Sequence, residues 1–91
     1  MTKSTHTPEY DRLCGLLAQL RANAGLTQRQ LASALHVPHS WVANVETGER
    51  RIDLIEFVWF CEACGTAPAE TAHSFIASLG RRRTRSATRA R

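Results

Sequence analysis

Cys61 and Cys64 lie in the stretch EFVWFCEACG at a spacing that suits two ligands of a zinc ion or a redox-active dithiol. Zinc takes four ligands, and His36 and His39 are side chains of the right kind to complete such a set. A plainer reading is packing, because free cysteine behaves as a small, readily buried hydrophobe. No nucleophile, base and orienting group fall into a pattern that suits catalysis, and no glycine-rich loop is present to cradle a phosphate. A second polar set, His39, Ser40 and Asn44, is interleaved with the apolar Val42 and Val45. On the outer side of a short helix, such residues can match the donors and acceptors on base edges in a DNA major groove. Which chemistry holds depends on the elements that carry these residues.

A chain of 91 residues with 43% hydrophobic content supports one small domain, with little room for a large enzyme pocket. No apolar run approaches the roughly 18 to 20 residues of a membrane-spanning helix, and MTKSTHTPEYDR lacks the apolar segment of a secretory signal. A cytoplasmic protein with no cofactor is therefore expected. Three cysteines, Cys14 being the third, are an odd number and argue against a disulfide framework. The net charge of +4 divides unevenly: residues 81–91 hold six arginines and no acid, whereas residues 1–80 hold six Lys and Arg against eight Asp and Glu, a net of −2. Bulk charge thus describes a tail, and nucleic-acid binding has to be argued from individual positions.

The periodicity is helical throughout. A first helix is expected from Pro8 or Glu9 to about Ala24, with Leu13, Leu16, Leu17 and Leu20 on one face and Gly25 as its left-handed stop. TQRQ reads as a capping box, Thr27 with Gln30, opening a second helix whose inner face is Leu31, Ala32 and Leu35. A third runs from about Pro38 or His39 to Glu46, with Val42 and Val45 inward, and closes at Thr47 and Gly48. DLIE opens a fourth through Asp53 and Glu56, with Leu54, Phe57, Val58, Cys61 and Cys64 as its buried stripe. Pro68 opens a fifth, with Ala69, Ala72, Phe75, Ile76 and Leu79 on one side. The chain divides into an arm (1–8), a helical domain (9–80) and an Arg-rich tail (81–91) expected to be disordered in isolation.

The second helix, a tight turn and the third helix make a helix-turn-helix. LRANAGLTQRQLASALHVPHSWVANVETGERR resembles the DNA-binding domain of the XRE family, the group of the lambda repressor and Cro; the likeness spans about residues 13–68. It combines AGLTQ, the Leu31–Ala32 pair, the VxNVExGER frame ending at Arg50 and a capped helix after it. The resemblance implies an all-α, five-helix, lambda-repressor-like domain that binds double-stranded DNA. By position, His39, Ser40 and Asn44 match the family's base-contacting residues. Gln28 matches a residue that clamps a phosphate and braces the recognition helix, and Thr47, Arg50 and Arg51 match a second phosphate-contacting segment. Arg21 and Glu46 match a structural ion pair. Trp41 stands where an aromatic packs on the domain, faces the DNA backbone, or does both. His36 occupies a turn position that is usually glycine, and Ala67 one that is often a capping Asp or Ser, so that Thr66 is expected to take over as cap.

Ile55 and Trp59, four apart, stand where the family commonly has a polar pair, which points to cover by the fifth helix or to a homodimer seam shared with Phe75. A dimer suits a protein that reads two half-sites about 34 Å apart. The expected function is that of a sequence-specific transcriptional regulator, a repressor in the simplest case, acting as a homodimer. A module that binds a protein partner, such as an antitoxin, is the alternative. In this frame Cys61 and Cys64 fall on the inner face of the fourth helix, and His39 is wanted by the recognition helix. Packing without metal is therefore the expected use of CEAC.

Overall fold

The computed structural model describes residues 7–80, so the expected arm is covered only at its end and the expected tail, 81–91, lies outside the described residues. Five helices follow in order: α1 (Pro8–Asn23), α2 (Gln28–Leu35), α3 (His39–Thr47), α4 (Leu54–Ala63) and α5 (Pro68–Ser78), with no strand among the described residues. None of these helices is long and apolar enough to cross a membrane.

Local chemistry explains most of the boundaries. Thr7 caps α1, its hydroxyl accepting from the Tyr10 amide at 3.0 Å, and Pro8 fills the first helical position, where no N–H is needed. In α2 the Gln30 amide donates to Thr27 Oγ1 at 3.0 Å while the Thr27 amide donates to Gln30 Oε1 at 2.8 Å. Asp53 and Glu56 repeat this reciprocal arrangement at α4, at 2.8 and 3.1 Å. Each such cap removes two orphan donors, and its loss costs about 1 kcal/mol. Pro38 precedes α3 as its cap residue rather than opening it, and no side chain caps that helix. The expected cap of α5 by Thr66 is not made: Ala67 holds the cap position without a side-chain bond, and the Thr66 hydroxyl instead donates to the Cys61 carbonyl at 3.3 Å.

Leu17, Leu31, Val42, Val45, Phe60 and Cys61 are the largest fully buried side chains, so α1 to α4 all contribute to one core. Burying each of the larger of these side chains contributes about 1.5 to 3 kcal/mol. The stripe on α4 differs from the expected one. Phe57, Phe60, Cys61 and Cys64 are buried, Val58 is only partly so, and Leu54 is 71% exposed in the first turn, short of the core. Helix α5 also differs: no residue in it is fully buried, and Ile76 is 57% exposed, because α5 lies over one edge of the core instead of entering it. On α1, Tyr10 and Cys14 join Leu17 as buried residues, while Leu13 and Leu20 pack at the margin.

Candidate nucleic-acid interface

The turn between α2 and α3 sets the recognition helix. His36 ends α2 at φ 60, ψ 43, the left-handed region that favours glycine. Its amide and that of Val37 bond back to Ser33 and Ala32 at 3.2 and 3.0 Å, so the turn closes despite the strain of about 1 to 2 kcal/mol. Val42 and Val45 then seat α3 in the core. That seating leaves His39 and Ser40 exposed in its first turn, Asn44 partly exposed one turn later, and Thr47 exposed at its end. These side chains form a polar edge of the kind that meets base edges.

A partly buried ion pair holds this helix against α1. Arg21 Nε and Nη2 donate to the two Glu46 oxygens at 2.6 and 3.1 Å, and Nη1 donates to the Leu26 carbonyl at 2.9 Å. Gln28 Nε2 gives the Glu46 carboxylate a further bond at 2.9 Å. The side chains of Arg21 and Glu46 are only 19% and 6% exposed, and their hydrogen bonding pushes the arginine pKa further up. One carboxylate on α3 thus collects α1 and the first residue of α2.

The loop after α3 carries Arg50 and Arg51, each stacked on an aromatic ring. Arg50 lies 5.0 Å from the Trp41 centroid and Arg51 lies 4.2 Å from that of Tyr10. Tyr10 also accepts the Ile52 amide on its hydroxyl at 3.0 Å; burial pushes its pKa up, opposed by that bond. Trp41 is partly buried and packs against the core. Tyr10 is absent from the sequence-based expectations, although it stands at the i, i+4, i+7 spacing with Cys14 and Leu17 that could have flagged it. Glu56 was legible only as a cap, whereas it also pairs with Arg50 at 3.1 Å.

The cysteines take no part in this edge. Cys14, Cys61 and Cys64 are all buried, with thiol pKa values raised by burial, to about 11 for Cys64. Among the described residues no three His, Cys, Asp or Glu side chains gather as a metal site. Ile55 and Trp59 are 57% and 55% exposed, so α5 does not cover them; Trp59 borders a shallow hollow with Leu35, Glu62 and Ala63. Phe75 lines a different groove, with Leu54, Phe57 and Ile76.

A helix-turn-helix domain family profile matches residues 12–74. Among solved structures, an XRE-family like protein from Pseudomonas syringae pv. tomato is 40% identical with a TM-score of 0.77, and the match covers 87% of this chain and 96% of that one. No curated protein matches.

Proposed function

This chain belongs to the XRE family of helix-turn-helix proteins, and on that premise we propose that it is a sequence-specific DNA-binding transcriptional regulator of the cytoplasm, acting as a repressor. The observation that carries this reading is the edge of α3: His39 and Ser40 exposed and Asn44 partly so, on a helix locked from behind by Arg21, Gln28 and Glu46. A rigidly held polar helix edge is what reading base edges requires, since each bidentate contact is worth about 1 to 3 kcal/mol only when it is in register. Asn44 offers the bidentate pattern for adenine, His39 a donor or acceptor for a purine N7, and Ser40 a permissive contact. Gln28, Trp41, Thr47 and Arg51 flank this edge as candidate partners of the DNA backbone. Occupying an operator is enough to block polymerase, so repression follows without further parts.

A homodimer suits this role, and two apolar surfaces offer themselves as its seam. Ile55 and Trp59 project from α4, while Phe75 forms a groove with the exposed Leu54 and Ile76. Sedimentation of Ile55→Ser with Trp59→Ser, compared with Leu54→Ser with Ile76→Ser, should dissociate the dimer in one pair only. The unused surface would then be open to a protein partner, the second reading, which the exposure of Trp59 favours.

Selection from a random duplex library tests the main reading. One enriched motif, symmetric for a dimer, is expected; recovery of unrelated sequences with uniform affinity would overturn it.

A further inference from the structure

Arg50 sits in the loop between α3 and α4, where a cation facing phosphate is expected, yet its hydrogen bonds lead back into the domain. Its amide donates to the Asn44 carbonyl at 3.1 Å, in the recognition helix. Its guanidinium Nη1 and Nη2 donate to the two Glu56 oxygens at 3.1 and 3.2 Å, and Nη1 also reaches the Arg51 carbonyl at 3.0 Å. The ring centroid of Trp41, on α3, lies 5.0 Å from Cζ. Glu56 in turn is fixed by the Asp53 amide at 3.1 Å as part of the α4 cap, and its pKa is held below the ordinary value first by Arg50 and then by Asp53.

One edge of the guanidinium is therefore taken by a carboxylate and one face by an indole. A phosphate arriving at this arginine meets the negative charge of Glu56 beside it, which cancels most of the attraction. We infer that Arg50 is a positioning residue: it ties Trp41 and the end of the recognition helix to the capped start of α4, and it does not itself neutralise a phosphate. Its consequence for affinity rests on the DNA-binding reading above; the tie itself does not. Arginine is suited to this and lysine is not, because only the planar fork can grip both carboxylate oxygens while stacking on a ring.

The two roles predict opposite signs for one substitution. Glu56→Gln removes an acid and keeps a residue able to complete the capping box. If Arg50 were a phosphate ligand restrained by Glu56, this variant would bind duplex more tightly, with a log–log salt slope steeper by about 0.9. If Arg50 is the tie, Glu56→Gln weakens binding by roughly two- to fivefold and leaves the slope unchanged. Arg50→Lys, which keeps the charge, weakens binding to a similar extent.

The experiment measures binding of the full chain and both variants to a mixed-sequence duplex across a salt series. It also records the two indole N–H resonances of the free proteins. In both variants the Trp41 resonance should shift and that of Trp59, outside the cluster, should stay in place. Tighter binding or a steeper slope in Glu56→Gln overturns the inference, as does an unmoved Trp41 resonance. A parent protein that binds no duplex overturns the DNA-binding reading instead, and the Trp41 resonance still decides the tie.

Discussion

Arg21→Met is the most demanding test of how the recognition helix is held. The Glu46 carboxylate accepts from Arg21 Nε, Arg21 Nη2 and Gln28 Nε2 at 2.6, 3.1 and 2.9 Å. With its side chain only 6% exposed, water has little access to it. Arg21→Met keeps the aliphatic stem, removes two of those three bonds and also strips the Leu26 carbonyl of its donor. A buried charge stranded in this way costs about 3 to 5 kcal/mol. A domain of this size has a total stability on the order of 5 to 10 kcal/mol, so the variant should lose about a third of its margin or more. At about 4 to 8 °C per kcal/mol the melting midpoint should fall by more than about 12 °C. Glu46→Leu alone should cost less, because Arg21 is 19% exposed and can turn toward water. Arg21→Met combined with Glu46→Leu should recover about half of the loss, leaving about 1 to 3 kcal/mol for the unmatched Gln28 amide and Leu26 carbonyl. Urea unfolding of the four proteins, followed by circular dichroism, gives the cycle. A loss below about 1 kcal/mol for Arg21→Met would refute the burial argument, because it would mean that the remaining carboxylate is well hydrated.

Asn44→Ala should cost about 1 to 3 kcal/mol in binding, confined to particular base positions of a selected site; equal weakening on every sequence would show that Asn44 does not read bases. His36→Gly should raise the urea midpoint by the equivalent of about 0.5 to 1 kcal/mol, the left-handed strain of about 1 to 2 kcal/mol less the backbone entropy of glycine, about 0.5 to 1 kcal/mol. Glu56 has its folded pKa lowered from 4.5, so its contribution is complete above that value and is lost as the pH falls through the folded pKa. Glu56→Gln should therefore flatten the decline in stability as the pH falls below 4.5, measured by unfolding at each pH. A thiol reagent at mildly alkaline pH should label the cysteines of the native protein only as fast as it opens, and labelling at the rate of the urea-unfolded chain would contradict their burial.

Local chemistry determined where most of the helices begin. Thr27 with Gln30 and Asp53 with Glu56 are reciprocal caps between residues three apart, and Pro8 and Pro68 fit only a first turn, so these boundaries needed no tertiary contact. The family likeness was legible for the same reason, since VxNVExGER and AGLTQ are contiguous patterns. It also named Arg21 and Glu46, 25 residues apart, as partners, which spacing by itself could not do.

Helix α4 shows where such reading stops. LIEFVWFCEA is apolar on nearly every side, so periodicity could not choose among its faces. Contact with α2 and the rest of the core put Phe60 inside and left Leu54 and Trp59 in solvent. Arg50 and Tyr10 make the same point with polar groups. The place of Arg50 in a family phosphate segment does not foretell that the fold brings Glu56 and Trp41 to it. Nothing near Tyr10 in the chain foretells that its hydroxyl will meet the Ile52 amide 42 residues away. Caps and stops are decided by groups within a few bonds of one another. The choice of a buried face or a charge partner is decided by whichever distant surface closes over it, and that choice set the loop beside the recognition helix.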